Sequence, residues 1–293
     1  MIIMRKDRSK KGGCFMKWNI ITDSSCDLTC LEYENENIVF SDVPFVIRVD
    51  DKDFIDDKSL NVDEMMNVMK ESLEASTTAC PSPYAWFEKF ESEGYVIAIT
   101  ISKELSGSYN SALTAKNMIL EENPNRKIAI LNSYSTGPAS VLAVKKICEL
   151  IEKGFTFEKI VEKTEEYIKN MHTAFALCNF DNLIKSGRIN KMAGRLASVL
   201  DFWGIGNATD AGTIKLKQKV RGKKKSITAI IDEMKEKRLA DNKIIISHCY
   251  NSEFAKKLKE EIEKIWQSAE ITIMKARGLN SYYAEMGGII ISY

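Results

Sequence analysis

The sequence predicts an α/β fold in which a parallel-sheet N-terminal domain precedes an α+β C-terminal domain. Three observations carry that expectation. Short apolar runs alternate with amphipathic helical segments through residues 17–168. Ser/Thr-rich turns follow the strands of that stretch, and from residue 169 onward the pattern changes to include a long two-residue alternation. A chain of 293 residues also suits two domains. The division read from the sequence is a basic leader over 1–16, an N-terminal domain over 17–168 and a C-terminal domain over 169–293.

Trp18-Asn19-Ile20-Ile21-Thr22 reads as a buried strand entering the turn Asp23-Ser24-Ser25. Residues 38–49 carry a second strand region broken by Pro44, which belongs at an edge or bulge. Asn61, with Glu64 three residues on, opens a helix whose apolar stripe is Val62, Met66, Met69 and Leu73. Residues 95–100 form a strand, the polar turn 102–108 follows, and a helix runs to about Glu122. Residues 127–131 form another strand, followed by Asn132-Ser133-Tyr134-Ser135-Thr136-Gly137. Pro138 then suits the first turn of a helix that stops before Gly154. A charged helix near 157–170 leads into a strand at 173–177 and a helical segment reaching Ser186-Gly187-Arg188. Ile214, Leu216, Gln218 and Val220 alternate with Lys215, Lys217, Lys219 and Arg221, the period of a half-exposed strand. Strands at 243–247, 270–274 and 288–292, with a helix from Ser252 to about Trp266, complete the chain.

Composition narrows the function classes. Lys plus Arg total 42 and Asp plus Glu 41, a net charge of +1, so a chain-wide polycation for nucleic acid is a poor fit. Two histidines, His172 and His248, leave little room for His-rich metal sites or a Ser-His-Asp triad. Seven cysteines lie scattered without a CxxC pair, which reads as reduced, mostly buried thiols in a cytoplasmic protein. No uncharged apolar run approaches the ~18 residues of a membrane span. Residues 1–16 are basic and lack an apolar segment, so they read as a disordered leader, or as sequence ahead of a true start at Met16.

The polar turns carry the chemistry. In a parallel sheet the turns at 22–25, 102–108 and 132–136 all emerge at the carboxyl ends of strands, where ligands bind. This makes Ser24, Ser106 and Ser108 candidates for ligand contact. Leu105-Ser106-Gly107-Ser108 joins a strand to a helix, and Thr78 and Ser82 flank Cys80-Pro81 before another helix. Hydroxyls with helix N-termini suit a carboxylate or phosphate, and equally well serve as ordinary caps. Arg188 after Gly187 is either a capping residue or a bidentate anion clamp. Ser106 as the nucleophile of an acyl- or phosphoryl-transfer enzyme is the alternative. It lacks a G-x-S-x-G elbow and would need His172 or His248 as base. The run Lys215, Lys217, Lys219, Arg221, Lys223, Lys224 and Lys225 is a solvated face or a docking patch for an acidic partner.

Five ordered motifs resemble those of the DegV family of bacterial fatty-acid-binding proteins. They are Thr22-Asp23-Ser24-Ser25-Cys26-Asp27-Leu28, Thr78-Ala79-Cys80-Pro81-Ser82-Pro83, the run from Ile101 through Leu105-Ser106-Gly107-Ser108 to Ala112, Asn132-Ser133 to Gly137, and Gly187-Arg188-Ile189. The resemblance implies a two-domain carrier that is not an enzyme and has no cofactor or metal. It would hold one long-chain fatty acid, such as palmitate, in a tunnel between the domains. It further implies that Thr78 and Ser106 hold the carboxylate, that Arg188 lies close by, and that Arg221 belongs to a surface for a fatty acid kinase. Three positions depart from the family pattern. Ala79 replaces a serine, Gly206-Asn207-Ala208 stands where K-P-I-L is usual, and Arg277 stands where a histidine is usual. Arg277 is therefore expected to add a permanent cation to the head-group site.

Overall fold

The structure is a computed structural model that describes residues 16–31, 35–72, 76–189 and 201–293. Leu73, Cys14 and nearly all of the basic leader lie outside the described residues.

Strands β1 (Trp18–Asp23) and β2 (Ile38–Val43) begin a parallel sheet. Pro44 follows β2 directly and cannot donate to the ladder, and the chain there leaves that sheet. It builds a separate antiparallel unit from β3 (Val46–Val49), β4 (Lys52–Ile55) and β5 (Thr77–Ala79), in the order β4-β3-β5. The part of the expected strand region beyond Pro44 becomes β3, whereas β4 and β5, with four and three residues, are too short to register as sequence periodicity. Within the unit lies α1 (Val62–Glu71), where Asn61 Oδ1 accepts the Glu64 N–H at 3.1 Å. Its most buried positions are Met65 and Met66. Val62, Met66 and Met69 of the expected stripe pack into one cluster, and Met65 joins them.

After α2 (Pro83–Phe90), the strand β6 (Tyr95–Thr100), helix α3 (Ser108–Glu122) and strand β7 (Ile128–Asn132) complete the parallel sheet, ordered β2-β1-β6-β7. Its faces are covered differently. Ile21, Val96 and Ala98 pack with Trp86 and Phe90 of α2, while Ile20, Ile97 and Ile99 pack under α4 (Pro138–Glu152) and α5 (Phe157–Asn170). A sheet buried on both faces explains why its strands are continuous apolar runs.

The second sheet has six strands in the order β10-β9-β8-β13-β11-β12. In chain order they are β8 (Thr173–Leu177), β9 (Phe202–Ala208), β10 (Ile214–Arg221), β11 (Lys243–His248), β12 (Glu270–Lys275) and β13 (Ile289–Ser292). Only the β11–β12 pair is parallel. The last strand sits at the centre, between β8 and β11. Between β8 and β9 lies the short helix α6 (Asp181–Lys185). Helices α7 (Lys223–Lys235) and α8 (Ser252–Ile265) cover one face through Ile230, Met234, Phe254 and Leu258.

The other face meets the first half of the chain. Ile245 of β11 joins the cluster of Val141, Val144 and Ile147 on α4, which makes α4 a wedge between the two large sheets. That position accounts for its burial on nearly every side, from Pro138 to Leu150. Farther along the same face, Phe175, Leu177 and Ile290 cluster with Ile47, Val49 and Met65 of the small antiparallel unit, and with Tyr282 of α9 (Gly278–Ala284).

The alternation read for β10 is interrupted. A bulge between Leu216 and Gln218 shifts the register, so Leu216 pairs with Gly206, Gln218 with Ile205 and Lys219 with Gly204. Lys215 and Lys219 therefore point to opposite faces, and Lys217 reaches Glu233 of α7 at 3.6 Å and Glu236, which caps that helix, at 3.8 Å.

Candidate functional site

The parallel strands deliver the turns after β1, β6 and β7 to one edge, and hydrogen bonds bind those turns together. Ser102 N–H donates to Ser135 O at 2.8 Å, Lys103 N–H to Asn132 Oδ1 at 3.2 Å, and Gly137 N–H to Ser25 O at 2.9 Å. Gly137 has φ +54, and a Cβ there would stand 2.9 Å from Asp27 Oδ2, so the junction requires glycine. Between this edge and the six-stranded sheet lies a cavity. Its walls are apolar: Ile101, Leu105 and Phe45 on one side, Phe175, Leu177 and Ile290 on the other.

Thr78, Ser106 and Arg188 all line the cavity. Thr78 lies on β5 opposite Ile47, and its hydroxyl is 2.8 Å from the Tyr283 hydroxyl. Ser106 sits in a tight turn in which the Leu105 and Ser106 N–H groups both donate to Ser102 O, at 3.0 and 3.2 Å. Its hydroxyl accepts the Ser108 N–H at 3.3 Å. Arg188 follows Gly187, whose φ of +74 ends the α6 segment. Its guanidinium donates to Leu105 O at 3.1 Å and Ser186 O at 3.3 Å, and lies 5.4 Å from the Tyr283 ring centroid. Tyr283 lines the cavity beside Leu279, one helical turn earlier on α9. Sequence reasoning passed over it. The Leu279–Tyr283 spacing was the available signal, although nothing local says which face of so short a helix is occupied.

Ser24, Ser108 and Arg277 do not line the cavity; they lie behind it. The Ser24 hydroxyl accepts the Phe45 N–H at 3.0 Å. Ser108 Oγ donates to Asp23 Oδ2 at 2.6 Å, and the same oxygen accepts the Ile101 N–H at 3.0 Å, tying the ends of β1 and β6 to α3. Arg277 is 6% exposed. It reaches Asp42 at 2.6 Å and donates to the carbonyls of Leu28 at 2.9 Å and Asp56 at 2.7 Å. Arg277, expected at the head-group site, is thus held outside the cavity lining, where two carboxylates and two carbonyls surround it at the start of α9.

Those carboxylates are buried. Asp56 accepts the Gly278 and Leu279 N–H groups at 3.0 and 2.9 Å, and burial pushes its carboxyl up to about 6 against the pull of Arg277. Asp27 accepts from Ser247 Oγ, Arg277 N–H and Asn280 Nδ2 at 2.6, 2.9 and 2.8 Å. Burial likewise raises Asp23 and Asp27.

Neither histidine lines the cavity with Ser106. His248 Nδ1 accepts the Asn251 N–H at 3.3 Å, and His172 packs 5.8 Å from Tyr293 beside a separate polar groove; burial lowers both. Of the described cysteines, Cys26, Cys148 and Cys249 are buried while Cys30 and Cys178 are exposed, a wetter set than composition suggested. Arg221 closes β10 in the open, 5.9 Å from the Phe202 ring. Among the described residues, no cluster of three His, Cys, Asp or Glu side chains is placed to hold a metal ion, and no helix is long and apolar enough to cross a membrane.

Comparison with known proteins gives one consistent result. The family model described as "Uncharacterised protein, DegV family" matches residues 17–292. A DegV domain-containing protein of Streptococcus pyogenes is 37% identical over 278 residues, covering 95% of this chain and 99% of the relative. Among solved structures, the Streptococcus pneumoniae Fatty Acid Kinase (Fak) B3 protein loaded with linoleic acid superposes with a TM-score of 0.92 at 40% identity, covering 95% and 99% of the two chains. A DegV family protein from Eubacterium eligens loaded with heptadecanoic acid gives a TM-score of 0.89 at 33% identity, covering 94% and 98%. With the family model spanning nearly the whole chain, the protein belongs to the DegV family.

Proposed function

We propose that this protein binds a long-chain fatty acid in the cavity between its two large sheets and presents the carboxyl group to a fatty acid kinase. The observation that carries this reading is the cavity itself. Its walls are apolar, and Thr78, Ser106, Arg188 and Tyr283 gather at one place on them. An apolar tail is stabilised by a dry tunnel, while its head needs only a few fixed donors. Arg188 gives two N–H groups to Leu105 and Ser186, and a guanidinium carries five, so its fork suits a carboxylate as well. The linoleic and heptadecanoic acids in the relatives' structures support the same ligand class. The kinase role rests on the similarity to the Fak B3 protein, with exposed Arg221 the candidate contact.

Mass spectrometry of the purified, denatured protein tests the reading: a long-chain acid is expected to be released. Absence of any acyl species, together with no uptake of fatty acid by delipidated protein, would overturn it. For the partner role, Arg221→Glu should weaken kinase docking while lipid uptake persists, and unchanged docking would remove Arg221 from the contact.

A further inference from the structure

Beneath Phe175, which lines the cavity, and its neighbour Phe180 lie two glycines that the backbone does not require. Gly204 and Gly206 lie on β9 and are absent from the positive-φ positions, so an L-residue could adopt their conformation. What excludes a side chain is space. A Cβ on Gly206 would stand 2.4 Å from Phe175 Cζ and 2.2 Å from Lys215 O, and one on Gly204 would stand 2.5 Å from Phe180 Cε2 and 2.9 Å from Leu216 Cδ1. Phe175 is the cross-strand partner of Gly206, and its ring lies 6.2 Å from the Phe180 ring. The two rings are thus let down into hollows that a methyl group would fill.

Phe175 lies midway along the floor. Thr173, Phe175 and Leu177 share the cavity face of β8, at about 3.3 Å per residue. Leu177 lies toward Leu183, whose carbonyl accepts the Arg188 N–H, while Thr173 lies toward Ser135 at the opposite end. A tail running from Arg188 must pass over the Phe175 ring to reach the Thr173 end.

We infer that Gly206, by letting Phe175 lie down on the sheet, sets the length of acyl chain this cavity accepts. The inference rests on the fatty-acid reading above and adds a determinant to it. A methyl at position 206 lifts the ring into the path, so a chain that ends before Phe175 still fits and one that extends past it does not. Two or more displaced methylenes correspond to a loss of about tenfold or more.

The test compares laurate with stearate on delipidated protein. Gly206→Ala should lower stearate affinity about tenfold or more while laurate changes by less than about threefold. The double variant Gly206→Ala with Phe175→Leu should recover stearate, because the smaller side chain leaves room for the methyl. Equal loss of both acids in a folded Gly206→Ala protein, or no recovery in the double variant, would overturn the inference. Should the Lys215 contact prevent Gly206→Ala from folding, Phe175→Trp decides, because the hollow over Gly206 cannot hold the larger ring: a stearate-to-laurate ratio lowered below wild type supports the inference, and an unchanged or raised ratio overturns it. Wild-type protein that binds neither acid would overturn the fatty-acid reading itself.

Discussion

Arg188 and Arg277 invite comparison, since both stand beside polar turns and both were candidates for the same anion. Arg188 borders the cavity and, among the described residues, donates to carbonyl oxygens, those of Leu105 and Ser186. Arg277 is enclosed by Asp42, Asp56 and two carbonyls, and its N–H donates to Asp27. A guanidinium whose partners are neutral keeps its charge for a ligand. One already matched to carboxylates stabilises the fold around it, because breaking a buried pair leaves an uncompensated charge. The difference lies in the partners, and neither arginine's sequence neighbours reveal it.

The sharpest way to break the comparison is Arg277→Ala. It should destabilise the protein by about 3–5 kcal/mol in urea unfolding, since Asp42 and Asp56 lose their cation. A variant of near wild-type stability that fails to bind lipid would return Arg277 to the ligand site.

A second effect, on the order of 3 kcal/mol, comes from Asp56 and depends on pH. Folded, its carboxyl holds a proton up to about 6 instead of 3.8, so the native state binds the proton more tightly than the unfolded chain. That contribution to stability is complete below 3.8 and is lost as pH rises through about 6. The stability of wild type relative to Asp56→Asn should therefore decline across that window. A flat difference would show that Asp56 titrates as an exposed acid.

The smallest effects fall on the cavity side and should appear in affinity, with stability unchanged to within about 0.5 kcal/mol. Arg188→Gln should weaken fatty-acid binding by about 1.5–3 kcal/mol, the range for a hydrogen bond to a charged group, and Thr78→Val by about 0.5–1.5 kcal/mol. Isothermal titration at fixed pH reads both. Equal losses of stability and affinity would erase the distinction between the two regions.

Much of the architecture was legible in the chain. The apolar runs at β1, β6 and β7, Pro138 at the start of α4 and the cap of Asn61 on Glu64 are local signals, and each element formed where they stand. Of the small antiparallel sheet only β3 was legible, as the part of the strand region beyond Pro44; β4 and β5 are too short for a period, and the unit packs on Phe175 and Tyr282 from far along the chain. The bulge in β10 was hidden for a related reason. Ile214, Leu216, Gln218 and Val220 keep a perfect alternation in sequence, and only the pairing with β9 shows that Gln218 and Leu216 face opposite ways.

By itself, then, the sequence determined most of the longer secondary elements, the parallel sheet of the first half and the Ser/Thr turns that gather at one sheet edge. These follow from side-chain period, capping chemistry and the chirality of strand–helix–strand connections. Tertiary structure alone decided which polar groups face the cavity and which support it from behind. Thr78 meets Tyr283 across 205 positions of chain, and Ser108 meets Asp23 across 85. Such contacts depend on how the sheets close around α4, and no local pattern of residues encodes that closure.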